Sequence, residues 1–166
     1  MKKFAFIVIC LMLMASALAG CTGPAGGGQK NIEGSLEDLM QKIYDNLDPT
    51  VELPFTANEA LTQEGTQFNT NVAYFIGADD IPFTEGLVSE PAFGAIPLSI
   101  VLLRMEKDAD IEGAMSRMRA GIDPMKWICV GVDPSDVIVD NIGDLVVLIM
   151  SKDSKAIHEA FKKLAD

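Results

Sequence analysis

Three cysteines, a single histidine and several clustered carboxylates are the groups in this 166-residue chain whose chemistry could amount to a function. A serine, cysteine or zinc enzyme needs an imidazole or a set of soft ligands, and here His158 stands alone with one thiol, Cys129, in the body of the chain. Cys129 lies in the apolar run Trp127-Ile128-Cys129-Val130, which predicts a buried, inert thiol rather than a nucleophile. His158 follows Ile157 in a terminal amphipathic segment and is expected to face water beside Lys155 and Lys162. Paired carboxylates keep one reaction class open, because glycoside hydrolysis needs only two of them, one held as the acid. Asp108-Ala109-Asp110-Ile111-Glu112-Gly113 opens like a calcium loop, yet the twelfth position, where a bidentate Glu belongs, is Arg119. Gly26-Gly27-Gly28-Gln29-Lys30 has the glycines of a phosphate loop but no Gly before Lys30, no Ser or Thr after it and no strand leading in. No catalytic, cofactor-binding or metal-binding set is therefore assigned.

Of the other two thiols, Cys10 lies in an apolar leader and Cys21 at its end sits in a different setting. Met1-Lys2-Lys3 gives a positive start, and Phe4 to Leu18 is an uncharged apolar segment, the layout of a secretory signal peptide. Gly20 and the Gly/Pro stretch after Cys21 end the run short of the ~20 apolar residues that a membrane-spanning helix needs. Leu18-Ala19-Gly20-Cys21 at its end resembles the lipobox of bacterial lipoprotein precursors. That resemblance implies recognition of Leu18, Ala19 and Gly20 by a signal peptidase, cleavage before Cys21, and a diacylglyceryl group on the Cys21 sulfur. Two acyl chains hold a protein stably at a bilayer, whereas one chain of myristoyl length binds marginally, at ~0.8 kcal/mol per buried methylene. The implied address is the outer face of the cytoplasmic membrane.

The expected organisation is a signal peptide over 1–20, a lipidated Cys21 with a Gly-rich tether over 21–34, and a globular domain over 35–166. Loss of Lys2 and Lys3 with the signal takes the formal charge from −11 to −13, so the mature protein is strongly acidic. Such a surface repels nucleic acid and anionic headgroups, which leaves the lipid to hold the protein at a membrane.

Ser35 as N-cap, Asp38 three residues on, and Leu36, Leu39, Met40, Ile43 and Leu47 on one face predict a first helix stopped at Asp48-Pro49. From Pro49 to Pro97 periodicity is poor, with room for one or two short strands, for example around Leu87-Val88-Ser89. Proline-aromatic clusters in this segment make Phe55, Phe83 and Phe93 candidates either for core anchors or for partner-binding loops. Leu98 to Met105 reads as a central strand covered on both faces. Asp108 to Gly121 reads as a helix capped by Asp110. Trp127–Val132, Val137–Asn141 and Leu145–Ser151 read as three strands joined by turns, and a last amphipathic helix begins near Asp153. The order predicts an α+β domain with a mostly antiparallel sheet and helices packed on it.

Ser99 to Met105, Asp108 with Asp110, Pro124 to Cys129 and Gly143 to Val146 together resemble a family of small lipoproteins from monoderm bacteria that is filed as a domain of unknown function. The resemblance implies an extracytoplasmic location and transfers no catalytic residue. The function expected from these readings is a non-catalytic, membrane-anchored domain that binds a protein or cell-envelope partner. The expectation from another class is a small cell-envelope hydrolase using paired carboxylates.

Overall fold

The computed structural model describes residues 31–93 and 95–166. Cys21, its lipobox (Leu18, Ala19, Gly20) and the greater part of the tether lie outside them. The first helix, α1 (Leu36–Asp45), starts where the Ser35 hydroxyl accepts the Asp38 N–H at 3.1 Å, and it buries Leu36, Leu39, Met40 and Ile43 along one stripe. An edge strand β1 (Thr56–Leu61) and a short helix α2 (Val72–Ile76) follow, then β2 (Phe83–Pro91) and β3 (Leu98–Met105). Helix α3 (Ile111–Gly121) is capped by the Asp110 carboxylate, which accepts the Gly113 N–H at 3.0 Å. A 3-10 turn at Pro134–Asp136 leads into β4 (Val137–Ile142), a tight turn at Gly143-Asp144 and β5 (Leu145–Ser151), and the chain closes with α4 (Ser154–Lys162).

The five strands form an antiparallel sheet in the order β1-β2-β3-β5-β4, so the fold is α+β as the element order predicts. Alternation along β3 sends Ile100 and Leu102 to one face and Val101 and Leu103 to the other. Helices α1 and α4 cover the first face and α2 and α3 the second, which is why Leu98 to Met105 is almost uninterruptedly apolar. Residues 31–34, at the end of the expected tether, are docked onto the domain. The Arg104 guanidinium donates to the carbonyls of Ile32 and Gly34, and the Asp144 N–H donates to the Asn31 side chain. The domain is therefore approached by the chain at the end of the sheet where β3 finishes and β4 turns into β5.

Three expectations are corrected. Trp127 to Val130 is not a strand but a four-residue reversal bridged only between Trp127 and Val130, with Ile128 and Cys129 at its tip. Cys129 is exposed and has a φ of 64°, so its thiol meets solvent rather than a core. His158 does not simply face water: its Nε2 lies 2.6 Å from Asp140 Oδ2 on β4. An ionised carboxylate can only accept, so the imidazole donates and ties α4 to the edge strand.

Candidate functional site

Apart from Phe68 in the connection after β1, every large hydrophobic side chain that stands exposed among the described residues belongs to loops at one end of the sheet. Phe55 precedes β1, Phe93 and Ile96 lie between β2 and β3, and Met125 and Ile128 lie between α3 and β4. Phe93 is 80% and Ile128 86% accessible. This end is opposite the docked residues 31–34, and the eight residues of β3 separate the two by roughly 25 Å. Solvent-exposed apolar side chains gathered at one end, on a chain otherwise rich in charge, are the usual mark of an interaction surface.

Of the three aromatic candidates, Phe55 and Phe93 are on this end and solvent-exposed. Their backbones meet there, the Ala92 N–H donating to the Phe55 carbonyl at 3.1 Å. Phe83 is not a docking residue. It opens β2 at the far side of the sheet with 4% of its surface accessible, packed in the core beneath α2 and α3, because its place in the strand turns the ring inward.

A cleft of about 600 Å³ opens at the same end. Its apolar wall is made by Leu53, Pro54, Ile96, Pro97 and Val132, and its rim carries Glu52, Asp133, Asp136 and Asp153 against one cation, Lys152. The volume is in the range of small-ligand sites. Asp133 accepts both the hydroxyl and the N–H of Ser135, at 2.7 and 2.8 Å, and those bonds hold its carboxyl below the ordinary range. Asp48 is lowered in the same way by Thr50, and Glu159 by its contact with Lys162.

Beneath the loop that carries Met125 and Ile128 lies a group that sequence reading passed over. The Lys126 side chain is 2% accessible, and its ammonium donates to Glu90 at 2.7 Å and to Ser99 Oγ at 3.2 Å. The rings of Tyr74, Trp127 and Phe75 surround it, with centroids 4.6, 5.1 and 5.5 Å away. Burial lowers the Lys126 pKa, and the adjacent Glu90 carboxylate opposes that shift without cancelling it. The Tyr74 phenol is pushed up by its own burial and by Glu90. A buried amine can act as a base or form a Schiff base. Here the three rings and Glu90 occupy the approaches to Nζ, so the arrangement clamps the 123–132 loop to α2 and β2. The signal available in sequence was the neighbouring pair Lys126-Trp127, but its partners are 27 to 52 residues away.

The chain matches no family model, no curated protein and no solved structure. Among the described residues there is no cluster of His, Cys, Asp and Glu able to hold a metal ion, and no helix long and apolar enough to cross a membrane. Asp108 and Asp110 show what the calcium-like stretch is instead. Asp110 caps α3, and Asp108 takes a positive φ of 67° in the turn that precedes it.

Proposed function

We propose that this protein is a lipid-anchored extracytoplasmic binding domain, held to the membrane through Cys21 and presenting its loop end to a protein or cell-envelope partner. The observation that carries this reading is the placement of Phe55, Phe93, Ile96, Met125 and Ile128 at the end of the sheet opposite residues 31–34. A tether joined at that opposite end leaves the apolar loops on the side of the domain away from its attachment. The Lys126 clamp supports the same reading, since it fixes a loop whose tip is otherwise an exposed Ile128 and Cys129.

Site-specific photo-crosslinking in native cells tests it. A crosslinker replacing Phe93 should capture a discrete partner, and one replacing exposed Lys107, near the opposite end, should not. Equal capture at both positions, or none at Phe93, would overturn the proposal.

A further inference from the structure

The two edges of the sheet are treated differently. On β4 the pairing of Ile142 with Leu145 across the two-residue turn directs the main chain of Ile142, Asp140 and Ile138 to β5 and leaves that of Val139 pointing outward. Arg119 covers it, its Nη2 donating to the Val139 carbonyl at 2.5 Å. On β1 the Ala92 N–H bonds the Phe55 carbonyl, so Phe55, Ala57, Glu59 and Leu61 face β2, and Thr56, Asn58 and Ala60 turn their N–H and C=O groups outward. Pro91, which has no N–H to give, sits opposite Thr56 as this phase requires. Those outward groups have no main-chain partner among the described residues. Neither proline, lysine nor bulge protects the strand, although edge strands ordinarily carry such a device.

The charge around that edge is one-sided. Between Lys42 and Arg104 the sequence holds nine carboxylates and no lysine, arginine or histidine; Arg117 and Lys126 reach in to pair with Asp80 and Glu90, while Glu59 and Glu64 have no salt-bridge partner among the described residues. Glu59 lies in the strand itself and Glu64 just beyond it, while exposed Phe55 precedes the strand and exposed Phe68 lines a hollow with Ala57 and Glu59 beside it. We propose that β1 is a strand-addition site that accepts an extended segment of a partner protein in which basic and apolar side chains alternate. The partner's main chain satisfies Thr56, Asn58 and Ala60, its basic side chains meet Glu59 and Glu64, and its apolar ones rest on Phe55 and Phe68. A second copy of this chain is a poor occupant, because it would bring the same uncompensated carboxylates to the same edge. The inference rests on the partner-binding reading above and names the chemistry of what is bound.

The experiment uses the full-length chain purified in detergent and a fluorescent octapeptide of alternating lysine and valine. Two comparison peptides isolate the causes: alternating glutamate and valine, and the lysine-valine peptide N-methylated at every residue. The lysine-valine peptide should bind saturably, and both comparison peptides should bind about tenfold more weakly or worse. Ala60→Pro removes one outward N–H at an exposed position and should weaken binding by a similar factor, with an unchanged far-UV spectrum. Glu59→Lys with Glu64→Lys leaves the backbone alone and should reverse the preference between the two charged peptides. Equal binding of the N-methylated peptide, equal binding of the acidic one, or no binding of any would overturn the inference. So would a dimer that Ala60→Pro dissociates, which would give the edge to a second copy. Crosslinks at Phe93 with no peptide on β1 would keep the docking end and remove the edge.

Discussion

At the scale of single residues, the groups that matter are those whose partners lie far away in sequence. Lys126 reads locally as one more surface lysine, and it becomes a clamp only because Tyr74, Phe75, Glu90 and Ser99 converge on it. Removing its charge sets two effects against each other: the ion pair with Glu90 is lost, and so is the cost of burying an ammonium. Because Lys126→Met leaves the partly buried Glu90 carboxylate without its partner, the variant is expected to be less stable at neutral pH by up to about 3 kcal/mol. The pH dependence is the sharper readout. With its pKa lowered below 10.5 in the folded state only, Lys126 loses its proton at lower pH in the folded protein than in the unfolded chain, so stability should rise with pH between that lowered value and 10.5. Urea midpoints between pH 8 and 10.5 should show that rise in the parent and a flatter course in Lys126→Met; identical slopes would refute the assignment. Cys129 and His158 depart from expectation for two different reasons. The apolar letters around Cys129 gave no hint that the backbone reverses at φ 64°, and Asp140 reaches His158 from another strand.

At the scale of elements, legibility followed how much each one depends on local signals. Helix α1 and helix α3 carry their caps in sequence, as Ser35 and Asp110, and β3 and β5 announce themselves by unbroken apolar runs. Strand β1 does not. Its sequence, Thr-Ala-Asn-Glu-Ala-Leu, is small and polar, and it is held by hydrogen bonds instead of packing: Tyr44 OH lies 2.6 Å from Ser89 Oγ, which donates to the Asn58 side chain. Helix α2 has five residues between an Asn71 cap and Gly77, too few for a period to show. Gly77 takes a φ of 81° as it ends α2, and its carbonyl lies against Gly121 at the end of α3, so closely that a Cβ on Gly121 would fall 1.9 Å from it. Gly121→Ala must push the two helix ends apart and is expected to cost about 1–3 kcal/mol. Chemical denaturation would measure it; a variant as stable as the parent would show that the two backbones do not abut.

At the scale of the whole molecule, the domain has two unlike ends. The sheet has an end where the chain arrives, stitched by Arg104 and Asp144 to residues 31–34, and an end where apolar loops and a carboxylate-rimmed cleft face solvent. The antiparallel α+β architecture was legible because patterning and turn residues agree over most of the chain. The end that carries the exposed apolar loops was legible only in part. Phe55 and Phe93 are there, but Phe83 is in the core, since a proline-aromatic pair looks the same in sequence whether its ring anchors or protrudes. The polarity has meaning only if Cys21 is where the membrane holds the protein. Mass spectrometry of the N-terminal peptide from protein purified out of its native membranes decides this: the account predicts a chain beginning at Cys21 with a diacylglyceryl thioether on its sulfur, and an N-terminus elsewhere or an unmodified Cys21 thiol would contradict it.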